Sequence, residues 1–215
     1  MKIEDTIANA AADAFFPDPD ISASLRKRLL LVLTPYQRPK FVSDCLQLLR
    51  QAGHTTVRGT IKDFASEARL NLFFDTVKSL QSNSRYWMSG MDPDVLEGFP
   101  AQALVRVLTD VPERIDWPSR WLSEGGRLFE GRMIALKWEP IWSKISEFEL
   151  PWPPFQLGSG YDVEDVDCDE ARSLGFSIPT NLRAKVTIGQ DRDALRQRFS
   201  AALNKLISTP PVLPP

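Results

Sequence analysis

The sequence predicts an α+β fold that is predominantly α-helical: a helical N-terminal half, then a mixed C-terminal part with short strands and a terminal helix. Three observations predict it. Apolar residues recur at helical spacing early in the chain, most clearly in Ile61, Phe64, Ala65, Ala68, Leu72, Phe73 and Leu80. From Asp116 onward, Pro, Gly and Trp punctuate runs of only five or six residues, which suit strands and single helical turns. Helical spacing then returns with Leu195, Phe199, Ala202, Leu203 and Leu206.

Each element follows from local signals. Residues 3–16 are Ala-rich with helical spacing and are stopped by Pro17 and Pro19. Residues 24–33 form a second helix closed by Pro35, and residues 40–51 a third, with Phe41, Cys45, Leu48 and Leu49 on one face and Gly53 as its stop. The strongest helix starts near Thr60, where Thr60 and Asp63 resemble a capping box, and runs to about Gln81. Another helix is expected over 94–108, regular from Pro100, since Pro is tolerated in a first turn.

Beyond Asp116, a short helix spans 117–124 and ends at Gly125-Gly126. A strand over 132–137 and a helix over 139–148 follow. A Pro-rich elbow, Pro151, Pro153 and Pro154, leads to the turn Gly158-Ser159-Gly160. Residues 161–166 alternate as an edge strand, 167–174 read as a capped helical turn before Gly175, 182–188 as one more strand, and 191–207 as the terminal helix. The organisation expected is a helical region 1–112, a mixed region 113–208 and a Pro-rich tail 209–215.

Composition narrows the function. With 43% hydrophobic and 25% charged residues the chain has the balance of a soluble globular protein. A net charge of −2 argues against a DNA-coating surface and leaves DNA contact only to a local patch such as Arg26-Lys27-Arg28. The two cysteines, Cys45 and Cys168, form no secretory framework, and no signal peptide or membrane-spanning run is visible.

Catalytic and metal motifs are sparse. His54, the single histidine, sits beside Gly53 past a helix end and reads as a capping or surface residue. The acidic run Asp162, Glu164, Asp165, Asp167, Asp169, Glu170 does not fit a calcium loop, because Gly is absent at its sixth position and Glu at its twelfth. No catalytic residue, metal ligand or cofactor is therefore assigned. Glu147 and Glu149 form an E-x-E pair of the kind ADP-ribosyltransferases use, without the Ser-x-Ser strand and Arg that accompany it there.

The most informative segment is 127–175, where Trp138, Trp142 and Trp152 are combined with the elbow and the Gly-Ser-Gly turn. Five of the six tryptophans lie between Trp117 and Trp152, and Trp and Arg are favoured interface anchors. Trp138, Trp142, Trp152, Phe155, Tyr161 and Arg132 are the interface candidates, with a Trp-rich core as the competing reading.

An ordered set of short strings carries a resemblance. Phe99-Pro100-Ala101-Gln102-Ala103-Leu104 is followed by Asp116-Trp117-Pro118-Ser119-Arg120-Trp121, Gly125-Gly126 and the run Gly131 to Lys137. Next come Pro140-Ile141-Trp142, Pro151-Trp152-Pro153-Pro154-Phe155, Gly158-Ser159-Gly160, Val163-Glu164-Asp165-Val166 and Glu170-Ala171 before Leu174-Gly175. Together they resemble the C-terminal segment of tailed-phage minor head proteins, or head morphogenesis proteins, of Mu-like phages, over roughly residues 98–176. The chain departs from that pattern at Gln156, at Tyr161-Asp162 and at Cys168. The resemblance implies a non-enzymatic virion-assembly protein associated with the portal or major capsid protein, located in the virion or in the host cytoplasm during assembly. Homo-oligomerisation stays open. The alternatives are an ADP-ribosyltransferase-like enzyme or toxin effector using Glu147 or Glu149, and a DNA-packaging accessory factor.

Overall fold

The computed structural model describes residues 7, 12, 16, 19–30, 37–54, 59, 60, 63, 65–108, 116–156, 160–180 and 182, without the side chains of 26 and 28–30. Among them, seven helices and one four-stranded antiparallel sheet make an α+β, mainly helical protein. The expected strand over 182–188, the terminal helix 191–207 and the tail lie outside the described residues, as do Gly158, Ser159 and all but three positions of the helix expected over 3–16.

The chain forms two compact units, residues 1–81 with 192–212, and residues 82–191 with 213–215. The division differs from the boundary expected near residue 112. That boundary would sever strand β1 (Ala101–Arg106) from the strands it pairs with.

The first unit contains α1 (Pro19–Leu30), α2 (Arg38–Gln51) and the beginning of α3 (Glu67–Gly90). Pro19, read as a helix stop, instead begins α1, where its missing N–H costs nothing. α2 buries Phe41, Val42, Cys45 and Leu49, and its chain turns away at Gly53, whose φ of 84° needs no Cβ to be accommodated. Phe41 packs against Phe73 and Phe74 of α3 at 6.2 and 5.2 Å between ring centroids, and Phe16 meets Phe73 edge-on at 5.3 Å. α3 starts seven residues later than the Thr60 signal suggested. Ser66 is the residue that caps it: its hydroxyl accepts from Arg69 N–H at 3.1 Å and donates to the Thr60 carbonyl at 2.7 Å.

The second unit is built on the sheet, ordered β2-β3-β1-β4, with β2 (Leu128–Phe129), β3 (Arg132–Leu136) and β4 (Tyr161–Val166). β1 is the principal correction to the sequence reading, which made 100–108 helical. The helix at this point is only α4 (Pro93–Gly98), capped by the Asp92 carboxylate accepting from Asp94 N–H. The residues after Pro100 then pair on both sides, Ala103 with Ile134 of β3 and with Glu164 of β4. A central strand buried on two faces lacks the alternation of a half-exposed one, and the mostly apolar run of β1, broken only by Gln102, does not separate by periodicity from a buried helix.

β2 and β3 form a hairpin whose two loop residues, Glu130 and Gly131, both have positive φ, 52° and 82°. That is the backbone of a type I′ turn, whose twist matches the flanking strands. Leu104, Met133 and Ala135 face Trp117 and Trp121 of α5 (Trp117–Ser123), Ile141, Trp142 and Ile145 of α6 (Ile141–Ile145), and Phe155. Ala101, Ala103, Ile134, Leu136 and Val166 face Ala171 of α7 (Cys168–Ser173), with Leu174, Phe176 and Trp138 at the margin. The sheet is covered on both faces. α5 and α7 start where the sequence placed them, capped by Asp116 accepting from Ser119 N–H and by Asp167 accepting from Glu170 N–H.

Candidate functional site

The polar constellation of the second unit lies at one end of the sheet, on its tryptophan-covered face. Side chains alternate along a strand, so Gln102, Lys137 and Asp165 fall on the same face as Leu104, Ala135 and Val163. Gln102 is directly opposite Asp165 across the β1–β4 ladder. Lys137, just past β3, donates its backbone N–H to the Pro100 carbonyl at 3.0 Å. Its side chain then runs over the middle strand, and Nζ comes within 2.7 Å of Asp165 Oδ1. The contact is a close charge pair, although its angles fall short of a hydrogen bond.

Burial gives this pair its weight. The Lys137 side chain is 3% exposed and that of Asp165 24%. A buried ammonium is tolerated only beside a counter-charge, because desolvation otherwise exceeds what packing returns. The C-terminal turns of α3 border the pair. Tyr86, itself exposed, donates its hydroxyl to Asp165 Oδ2 at 3.1 Å, and Lys137 Nζ lies in ordinary contact distance, 3.4 Å, of where a Cβ on Gly90 would stand. Burial first, then the charge of Asp165 and the hydrogen bond to it, raise the Tyr86 phenol above its ordinary value, with Asp162 adding to the effect. One turn earlier on the same helix, Trp87 packs against Trp152 with ring centroids 5.3 Å apart, and Asn83 donates to the Pro153 carbonyl at 2.9 Å.

The interface candidates divide by burial. Trp142, Trp152 and Phe155 are core residues at 0%, 1% and 0% exposure, which corrects their reading as surface anchors. Trp142 donates its indole N–H to the Leu136 carbonyl at 3.0 Å, stacks on Phe155 and meets Trp121 edge-on. Pro151 and Pro153 are buried too, and the elbow closes where Glu147 N–H donates to the Phe155 carbonyl at 2.7 Å. Its rigidity serves the core. Gly160, at φ 71°, accepts from Val107 and Leu108 N–H and anchors the far end of the β1–β4 pair. Trp138 and Tyr161 are half-buried, Tyr161 lying 5.1 Å from the Trp117 ring. Arg132 is exposed and ion-paired with Glu170 and, at 3.7 Å, with Glu164.

The remaining sequence candidates are dispersed. Glu147 accepts from Gln156 at 2.9 Å and lies 3.9 Å from Arg120, whereas Glu149 is exposed with φ 54°. Lys27 of the basic cluster is exposed, and its two arginine side chains lie outside the described residues. The acidic run is divided among separate tasks: Asp165 with Lys137, Glu164 and Glu170 with Arg132, and Asp167 at a helix cap. Among the described residues no group of three His, Cys, Asp or Glu side chains could hold a metal ion, and no helix is long and apolar enough to cross a membrane.

Sequence reasoning missed Lys137, Gln102, Tyr86 and Trp87. Strand parity over 132–137 would have placed Lys137 on the core face, a burial that requires a partner. Gln102 was hidden by the helical reading of β1, and the two α3 residues by ending that helix at Gln81.

No family model, curated protein or solved structure matches the chain.

Proposed function

We propose that this protein is a non-enzymatic phage or prophage head-assembly component that works by binding the portal or major capsid protein. The observation that carries the proposal is where the resembling strings fall. All of them lie within residues 82–191, and those described supply β1, α5, β3, α6, the elbow, β4 and α7 of one unit. The strings that carry the likeness to phage minor head proteins thus fall in one folding unit, which supports the reading.

The burial pattern changes which residues do the binding. Trp142, Trp152 and Phe155 are occupied by the core, so docking falls to the exposed Arg132 and the half-buried Trp138 and Tyr161. Arg132 and Trp138 share a sheet face by strand parity, opposite to that of Tyr161. The test is purification with the phage's own portal and major capsid proteins, followed by identification of what is bound. Arg132→Ala should reduce recovery of the portal or capsid protein while leaving the unfolding midpoint nearly unchanged, and Trp138→Phe, which keeps an aromatic ring packed on the sheet, should reduce recovery with only a small loss of stability. Trp152→Ala should lose folding and recovery together. Recovery of the wild-type chain free of both proteins would refute the proposal.

A further inference from the structure

We infer that the open edge of β4 is a docking strand that takes an extended basic segment of a partner chain by strand addition. The sheet ends at β4, which pairs only with β1 among the described residues; the opposite edge, β2, is two residues long and too short to serve as a template. The six residues of β4 offer about 20 Å of backbone. The ladder fixes which groups face outward. Val107 N–H donates to the Gly160 carbonyl at 2.8 Å, so that pair is hydrogen-bonded, and bonded and non-bonded pairs alternate from there. Asp162, Glu164 and Val166 therefore turn their backbone groups to β1, and Tyr161, Val163 and Asp165 turn theirs to the open side. Val163 agrees: its N–H donates to the Asp162 carboxylate, at 2.8 Å, and not to a strand.

Charge selects the occupant. Asp162 and Glu164 share one face of β4 with Val166, and the Glu164 side chain keeps 60% exposure although Arg132 stands 3.7 Å away. A second copy added antiparallel about Val163 would set Asp162 of each copy opposite Glu164 of the other, and like charges directly opposite destabilise a strand pair. A strand with lysine or arginine at the two positions opposite Asp162 and Glu164 reverses that sign. Its alternate residues meet Val163 and Tyr161, which pack beside Trp117 and suit apolar side chains. Asp162 then guards the edge. Its carboxylate holds Val163 N–H until a carbonyl of the incoming strand takes over the donor and a cation takes the carboxylate. The inference concerns the edge alone and holds whichever protein supplies the strand.

The test titrates the full chain into a fluorescein-labelled hexapeptide of alternating lysine and valine, with the glutamate–valine counterpart as control, and follows anisotropy. Expected are saturable binding of the lysine peptide, weaker binding of the control, and slowed amide exchange at Val163 and Asp165 in the complex. Val163→Pro removes an outward N–H without touching the bonds to β1, which an edge strand tolerates, and should weaken binding about tenfold or more. If that variant does not fold, Asp162→Asn combined with Glu164→Gln, which removes both charges, should give a loss of the same order. Equal binding of the two peptides, or binding without protection of those two amides, would overturn the inference. So would no binding at all, or a dimer of the wild-type chain that protects the same amides, which would assign the edge to a second copy.

Discussion

Replacing Gly126 with alanine should destabilise the second unit severely, and the reason is steric alone. Gly126 has no positive φ, yet a Cβ there would stand 2.3, 2.5 and 2.6 Å from Nε1, Cδ1 and Cε2 of Trp121. Those atoms belong to a rigid ring with no exposure, wedged edge-on against Trp142 at 5.2 Å, so the obstacle cannot swing aside as a flexible chain end would. Restoring contact to 3.0 Å or more requires a shift of at least 0.7 Å at Nε1. That same atom donates to the Arg127 carbonyl at 2.9 Å. Overpacking of this kind costs about 1–3 kcal/mol, and breaking a partly buried indole hydrogen bond about 1–3 more, giving roughly 2–6 kcal/mol together. Urea unfolding followed by tryptophan fluorescence is the suitable assay, because all six tryptophans fall within residues 82–191 and report on that unit alone. Gly98→Ala is the control, since nothing lies within 4 Å of its Cβ position and its φ is ordinary. A loss below about 0.5 kcal/mol for Gly126→Ala, the range of an ordinary surface change, would refute the reasoning.

Three further outcomes follow from the polar groups. Lys137→Met should cost about 2–4 kcal/mol by stranding Asp165, below the range for a fully buried pair because that carboxylate is 24% exposed; the double variant with Asp165→Leu should recover part of it in the same urea assay. The Tyr86 phenol has a raised folded-state pKa, so its bond to Asp165 contributes fully below the ordinary phenol value of about 10 and is lost as pH rises through the folded value; ultraviolet titration should show this tyrosine ionising late, and Tyr86→Phe should flatten the alkaline limb of stability. Hydrogen bonds from the Ser119 side chain and backbone lower the Asp116 pKa, so its cap persists above the ordinary carboxylate value and fails as pH falls through the folded one; Asp116→Asn should remove that acid-limb dependence from the unfolding midpoint.

Legibility in the sequence followed the locality of the cause. Asp116 and Asp167 act on backbone three residues away, and the helices they cap begin where their side chains indicate. β4 was readable because its alternation is a short-range pattern that the sheet only selects, and β3 because its apolar run is too short for a helix. β1 failed because its identity comes from pairing at a distance: its Ala- and Leu-rich run suits a helix until β3 and β4 close on both sides. The capping signal at Thr60 was displaced for a related reason, Ser66 offering the same chemistry closer to the apolar stripe. For the candidate site, composition singled out the tryptophan-rich segment without separating its buried rings from its half-buried ones. Whether a tryptophan faces a core or a partner is decided by what covers it, which no local pattern encodes.

The Lys137 bridge has a consequence for how the sheet finds its alignment. Because side chains alternate at every residue, sliding β3 or β4 by one position would carry an ammonium or a carboxylate to the opposite face, beside Ala101 and Ala103 of β1. Either misalignment would bury a lone charge in an aliphatic layer, and both strands must be right for the two charges to meet. The pair therefore works as a key between two strands that never touch, rejecting near-native pairings that hydrophobic residues alone would tolerate.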